Sequence, residues 1–274
     1  MLATVPFFGY VAFFLVVPSS VVVVGAFRAG NGAFGLDNVR ALGRPTVLAA
    51  FGQSLALSAV TAAIGAVVGG LVAYALSTGH PNSALRRAIT SGCAVLAQFG
   101  GVMLAFAFIA TVGSTGMVTN LLRTYLGVRS NGGWLYDFPG LVLVYSYFQI
   151  PLMVIVFLPA VDGIRPQWRE ATETLGGSTW VFWRRVAGPL LAPAFLGSML
   201  LLFANAFSAY ATAAALITQY NTLVPLQIRG ALISEINLDQ ANVASAMALG
   251  MIGVVAVVMA AYAWLGGRSA RWLG

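Results

Sequence analysis

Six long apolar runs, separated by short polar segments, set the pattern of this chain. Each run has 18 or more residues, and about 20 helical residues cross the roughly 30 Å hydrocarbon core of a bilayer. The runs are continuously apolar, whereas the strands of a membrane barrel alternate between apolar and polar positions. We therefore expect an all-α polytopic membrane protein in which residues 1–274 form a single transmembrane domain. The expected helices are Val5–Phe27, Phe51–Ser77, Ala88–Val112, Phe138–Val161, Leu190–Ile217 and Ala241–Leu265.

The composition agrees with a membrane protein. Hydrophobic residues make up 59% of the chain and the mean hydropathy is +0.89, which is too apolar for a soluble domain of 274 residues. The first run follows Met1–Thr4, which lacks the basic residues that open a secretory signal, so we expect a retained helix. Cys93 is the only cysteine, which excludes an intrachain disulfide and a cysteine-based metal cluster.

All fourteen basic residues are arginines, and the chain contains no lysine. In a membrane protein, basic residues mark loops on the cytoplasmic side, so we expect no nucleic-acid partner. Six helices place both termini on one side of the membrane, together with the loops around His80 and Glu170. That side carries eight arginines against six, which favours cytoplasmic termini. The eight are Arg86, Arg87, Arg165, Arg169, Arg184, Arg185, Arg268 and Arg271, and the six are Arg28, Arg40, Arg44, Arg123, Arg129 and Arg229.

One segment, residues 162–189, differs from the rest because it gathers seven charges between Asp162 and Arg185 in a chain that is only 8% charged. Such a segment cannot cross a bilayer, so it lies in water. Pro166 suits the first turn of a helix, and Arg169 and Glu173 pair one turn apart. Gly176 and the glycine after it can adopt positive φ and end the helix. Residues 162–189 therefore form a charged connection outside the membrane, between the fourth and fifth helices.

The spacing in this segment resembles the signature of permease subunits of bacterial binding-protein-dependent ABC importers. That signature is Glu-Ala-Ala, three residues, Gly, nine residues and Ile-x-Leu-Pro. Four positions match at the right spacing, and three differ: threonine replaces the second alanine, valine replaces isoleucine and glycine replaces leucine. The matches are Glu170, Ala171, Gly176 and Pro189, and the differences are Thr172, Val186 and Gly188.

The resemblance implies the type I ABC importer permease fold and a docking role for residues 162–189, which we call the coupling element. In that family the segment is a coupling helix that binds a groove of a separate ATPase subunit. Its expected residues are Glu170, Ala171, Thr172, Glu173, Leu175, Gly176, Val186 and Pro189. The resemblance also implies a dimer of ATPase subunits, an extracytoplasmic substrate-binding protein and a second permease subunit, a paralogue in preference to a copy. Membrane lipid is the remaining expected partner, and the expected location is the bacterial inner membrane.

Several other functions are less favoured. A solvated loop whose charges only fix topology is the simplest alternative to a docking element. A P-loop requires lysine, so we expect no enzyme activity and no bound cofactor in this chain, with ATP and Mg²⁺ held by the partner ATPase. An ion-coupled carrier usually requires an ionisable group inside the membrane. Asp137 and Asp162 lie only at the edges of runs. We expect neither catalytic residues nor a metal site, and no filter motif indicates a channel.

Polar residues within the apolar runs are candidates for the translocation pathway. We expect Asn205, Ser208 and Tyr210 to line it, because they lie on the fifth helix, which lines the pathway in the resembled family. Gln98, in the third run, is the further candidate. For any one residue the alternative is an interhelical hydrogen bond, worth about 0.6–2 kcal/mol. Residues 65–69, with a glycine at each end, predict close helix packing. The segment from Val224 onward resembles permeases for polyamines, phosphonates, sulfate or iron more than sugar permeases. The transported solute is therefore expected to be small and charged, such as a polyamine or an organophosphonate, with a sugar as the alternative.

Overall fold

The computed structural model describes residues 5–28, 34–80, 83–127, 133–216, 223–233 and 239–270. Within these ranges the chain is almost entirely helical, and its extended pairing is a single bridge between Arg28 and Phe34. Helix α1 consists of Val5–Val11 and Val17–Ala26, joined by a π-helical turn at Ala12–Val16. The other helices are α2 (Asp37–Ala41), α3 (Pro45–Ser77), α4 (Ala84–Gln98), α5 (Gly101–Val112), α6 (Met117–Leu126), α7 (Phe138–Asp162), α8 (Pro166–Thr174), α9 (Thr179–Phe182), α10 (Gly188–Ser208), α11 (Ala211–Leu216), α12 (Val224–Ile233) and α13 (Asp239–Ala270).

The predicted class is confirmed: the chain is an all-α polytopic protein with six helical segments long and apolar enough to cross a membrane. The six segments are Pro6–Ala26, Pro45–Ser77, Gly101–Tyr125, Phe138–Asp162, Thr179–Ser208 and Ala241–Trp264. Proline does not interrupt them, because Pro151, Pro159 and Pro193 all lie inside helices.

Two of the predicted helices are broken. In place of one helix over 88–112, the structure has α4 and α5, separated at Phe99 and Gly100. The predicted helix over 190–217 likewise divides into α10 and α11 at Ala209 and Tyr210, and residue 217 lies outside the described residues. Hydropathy alone cannot find such breaks, because the residues on both sides are apolar.

The described residues form two compact units, the first within Met1–Ser54 and Asn221–Ala256. Its core brings together the start of α3, helix α12 and the first half of α13, through Val47, Ala50, Val224 and Met247. The backbone N–H of Val224, which begins α12, donates to Ser54 Oγ at 3.0 Å. In α1, by contrast, Ala26 is the only buried side chain among those described.

The second unit lies within Leu55–Tyr220 and Val257–Gly274, and α7 is its central helix. The predicted close packing of residues 65–69 is confirmed here. A Cβ on Gly65 would lie 2.9 Å from Gln149 Cβ, and one on Gly69 would lie 2.6 Å from the carbonyl oxygen of Ile150. The absence of side chains therefore lets α3 lie directly against the backbone of α7.

Candidate functional site

The coupling element has the helix and the charge pair that its sequence predicts. Helix α8 begins at Pro166, and Arg165 precedes it with extended backbone. Arg169 Nε donates to Glu173 Oε1 at 3.1 Å, one turn further along. Both of these side chains are more than half exposed, so the pair contributes little to stability.

The bend after α8 depends on Gly176, whose φ is +76°. The N–H of Gly176 donates to the carbonyl of Glu173 at 2.9 Å, and the next N–H donates to the carbonyl of Thr172, also at 2.9 Å. These bonds close the carboxyl end of the helix with a glycine in the left-handed region, where residues with a Cβ are disfavoured. The bend predicted at this glycine is therefore present.

The predicted docking residues fall into two groups. Leu175 is 88% exposed although it is large and apolar, and Trp180, which is not one of the predicted residues, is 71% exposed. Glu170, Ala171, Glu173 and Gly176 are exposed with them, and so is Pro189 at the start of α10. Thr172 and Val186 are half-buried instead, and Thr172 Oγ1 donates to the carbonyl of Trp168 at 2.8 Å. The exposed group forms an uncovered surface with apolar side chains at its bend.

Gly188, which differs from the family signature, follows a π-helical turn at Trp183–Ala187. The N–H of Gly188 donates to the carbonyl of Trp183, and a Cβ on this residue would lie 2.5 Å from that oxygen. A leucine therefore does not fit this turn. The ring of Trp183 packs edge-on against Tyr74, with centroids 5.0 Å apart, and this contact attaches the turn to α3.

The two broken helices are bonded to each other at their breaks. The N–H of Gly101, whose φ is +71°, donates to Thr212 Oγ1 at 3.0 Å. The hydroxyl of Tyr145, on α7, donates to the carbonyl of Ala209 at 2.9 Å. Backbone groups freed by a break at membrane depth require such partners, or a water-filled cavity. We call this arrangement the break junction.

The predicted pathway residues all lie beside the break junction. Gln98 is the last residue of α4, Asn205 and Ser208 lie in the last turn of α10, and Tyr210 lies within the second break. Gln98, Asn205 and Ser208 are exposed, and Tyr210 is half-buried. These four residues come from two segments that are distant in the sequence, and the hydrogen bond between Gly101 and Thr212 brings the two segments together.

Other polar residues in the spans form interhelical bonds. Gln149 has no exposed surface, and its Nε2 donates to the carbonyl of Leu202 at 2.7 Å. Its Oε1 lies 3.5 Å from Asn205 Nδ2. Gln149, Tyr145 and Thr212 therefore hold helices together. Sequence reasoning missed the role of Gly101, although a pair of glycines inside an apolar run is a signal for a break.

An ion pair joins α4 to the start of the coupling element. Arg86 Nη2 bonds to Asp162 Oδ2, and the two side chains are 16% and 37% exposed. In the part of the chain that the structure describes, no group of three or more His, Cys, Asp or Glu side chains is placed to hold a metal ion.

A family described as "Binding-protein-dependent transport system inner membrane component" matches residues 75–271. The chain belongs to this family. The match covers the coupling element and the break junction. The chain is 25% identical over 263 residues to the "Ferric transport system permease protein FbpB" of Actinobacillus pleuropneumoniae, and the match covers 94% of this chain. The chain spans only 37% of the length of that relative.

Two other comparisons cover most of both chains. The chain is 25% identical over 258 residues to the "Sulfate transport system permease protein CysW" of Escherichia coli K12, and the match covers 90% of this chain and 80% of that relative. A crystal structure of a bacterial ABC transporter for import of the acidic polysaccharide alginate superposes with a TM-score of 0.75 and 18% identity, covering 97% of this chain and 93% of the other. This likeness supports the type I permease fold. None of these proteins is named for polyamine or phosphonate transport, so the expectation of those solutes gains no support.

Proposed function

We propose that this chain is a permease subunit of an ATP-driven ABC importer and forms half of a translocation pathway. The family match supports this function, and the exposed coupling element is the observation that carries it. Leu175 lies uncovered at the bend of a charged helix outside the membrane spans, so its side chain is available for a partner protein to cover.

The partner at this surface is a cytoplasmic ATPase subunit. Ala171 and Leu175 enter its groove, and Glu170 and Glu173 make polar contacts at the edge. Gly176 supplies the bend, while Val186 and Pro189 lead the chain back to the membrane. Burial of one leucine side chain contributes about 1.5–3 kcal/mol, which makes Leu175 the main apolar contact. ATP and Mg²⁺ bind the ATPase, and this chain binds no cofactor.

The orientation follows from this partner. Because ATP is cytoplasmic, the coupling element faces the cytoplasm and both termini lie on the same side. One chain supplies one coupling element, and ATPase subunits act in pairs, so a second permease subunit completes the pathway. A paralogue is the preferred partner, and an extracytoplasmic binding protein delivers the solute. The intact complex should therefore contain two permease chains, which native mass spectrometry can count.

The solute passes the break junction. Gln98, Asn205, Ser208 and Tyr210 offer neutral amide and hydroxyl groups there, with no carboxylate among them. Irregular backbone at membrane depth is tolerated where it is buried in protein or lines a water-filled cavity. Neutral groups of this kind can both donate and accept hydrogen bonds, so they suit a solute of either charge.

The solute is an inorganic ion, with ferric iron as the first candidate. The ferric-transport relative supports iron because it matches 94% of this chain. Sulfate is the second candidate, because the sulfate permease matches most of both chains. The alginate transporter carries no argument about the solute, since its likeness concerns the fold alone. A sugar therefore has less support than an inorganic ion.

Uptake by the complete transporter tests the proposal. The chain should be reconstituted in vesicles with its ATPase, second permease and binding protein, and supplied with ⁵⁵Fe(III), ³⁵S-sulfate or radiolabelled maltose. We expect uptake of ⁵⁵Fe(III) when ATP is present on the ATPase side, and none without ATP. Uptake of sulfate in its place would identify the second candidate. ATP-independent uptake by the chain alone would contradict the importer.

A further inference from the structure

The ion pair between Arg86 and Asp162 connects two elements that lie 76 residues apart in the chain. Arg86 is in the first turn of α4, and Asp162 is both the last residue of α7 and the first residue of the coupling element. Both side chains are partly shielded, at 16% and 37% exposure. Partly buried pairs are screened less by salt than fully exposed ones. The pair is thus a defined link between α4 and the base of the coupling element.

The preferences of the separate helices do not explain either charge. Ser83 caps α4, since its Oγ accepts from the N–H of Arg86 at 3.2 Å, which places the arginine at the positive end of the helix dipole. Asp162 sits at the negative end of α7. A cation at an amino end and an anion at a carboxyl end are both unfavourable in isolation. The ion pair therefore offsets the unfavourable interaction of each charge with the dipole of its own helix.

The backbone between Asp162 and α8 is short and bonded. The N–H of Gly163 donates to the carbonyl of Pro159 at 3.2 Å, and the N–H of Ile164 donates to the carbonyl of Val161 at 3.1 Å. Arg165 then precedes Pro166, the first residue of α8. Because this connection is short and hydrogen-bonded, we expect a displacement of α8 to displace Asp162 as well.

The opposite end of α4 reaches the break junction. Gln98 ends this helix, and Gly101 beyond it donates to Thr212. Over 15 residues, α4 spans about 22 Å, at a rise of about 1.5 Å per residue. Arg86 lies near one end of this rod and the break junction lies at the other.

We propose that the Arg86–Asp162 ion pair transmits movement of the coupling element to α4, and through α4 to the break junction. In this proposal the two residues act as positioning residues for transport, through their contact with each other. This inference rests on the proposed docking of the ATPase. It predicts that loss of the pair separates ATP hydrolysis from transport while the complex stays assembled.

Arg87 provides a matched control for Arg86. It is the next residue in the same helix and is exposed, and no acidic partner is found for it among the described residues. Replacing either arginine removes the same charge from the same side of the membrane. An effect on topology would be shared by both variants, whereas an effect of the ion pair belongs to Arg86 alone.

The experiment uses the complete transporter in vesicles and measures ⁵⁵Fe(III) and ³⁵S-sulfate uptake beside ATP hydrolysis. The variants are R86Q, D162N, the swapped double variant R86D/D162R, and R87Q. We expect R86Q and D162N to lower the number of ions transported per ATP by about tenfold, within the range usual for coupling between sites. The swapped variant should recover at least about a third of the wild-type ratio, as expected for residues in contact. R87Q should keep that ratio.

Wild-type ratios in R86Q and D162N would overturn the proposal. So would a swapped variant that assembles but stays as uncoupled as the single variants. If a single variant does not assemble, the swapped variant decides between these outcomes. A wild-type complex that takes up neither ion with ATP would instead count against the proposed function, which keeps the two failures distinct.

Discussion

Replacing Gly176 with alanine isolates the backbone requirement of the coupling element. The residue has a φ of +76°, and a Cβ built on it would meet no atom within 4 Å. The substitution therefore adds no clash, and its effect comes from the left-handed conformation alone. That conformation costs a residue with a Cβ about 1–2 kcal/mol. At about 1.4 kcal/mol per tenfold change, the ratio of bent to unbent chain should fall about 5- to 30-fold.

The affinity of the ATPase subunit for the detergent-purified chain measures this change. If the ATPase binds only the bent form, the dissociation constant rises by the factor through which that form is depleted, about 5- to 30-fold as an upper range. Asparagine tolerates positive φ better than alanine, so Gly176→Asn should fall between wild type and Gly176→Ala. Gly52→Ala is the control, because Gly52 lies within α3 and a Cβ there also meets nothing.

Two results would refute this reasoning. Unchanged ATPase affinity in Gly176→Ala, with the control also unchanged, would mean that docking does not require the bend. Equal losses in the alanine and asparagine variants would mean that some property other than φ matters at this position.

The remaining predictions concern the docking surface, the break junction and the energy source. Leu175→Gln should weaken ATPase binding about tenfold or more, from the 1.5–3 kcal/mol of a buried leucine, and Leu232→Gln, an exposed leucine of the other unit, should not; titration of the ATPase compares them. Thr212→Val leaves the N–H of Gly101 without its acceptor and should lower the melting temperature by at least about 2 °C, whereas Thr212→Ser should not; thermal unfolding of purified protein decides. Uptake should require ATP and survive an uncoupler, and its collapse while ATP remains plentiful would favour an ion-coupled carrier.

The sequence predicted the coupling element well because its determinants are local. Pro166, the Arg169–Glu173 pair and Gly176 act within two turns of helix, and the structure contains each of them as expected. Five of the six spans were predictable for a similar reason, since length and hydropathy are read directly from each run. The third span was misplaced, because it covers Gly101–Tyr125 and not residues 88–112. The roles of the docking residues stay predictions.

The bonds of the break junction and the Arg86–Asp162 pair could not be predicted, because they join segments that are distant in the sequence. The bond that satisfies Gly101 crosses 111 residues. The second break, at Ala209 and Tyr210, contains neither glycine nor proline, so the local sequence carries no helix-breaking signal there. The positions of Gln98 and Asn205 beside the breaks became visible only with the fold.

The π-helical turn at Trp183–Ala187 sets the rotational phase between the coupling element and the pathway. A π turn contains one residue more than an α turn, and each residue of an α-helix rotates the chain by about 100°. Removing a single residue here would let the turn become α-helical, so α10 could keep its orientation, and with it Asn205 and Ser208. A deletion elsewhere in α10 would instead rotate those side chains away from the break junction. We therefore expect this turn to be the place where the segment tolerates a change in length.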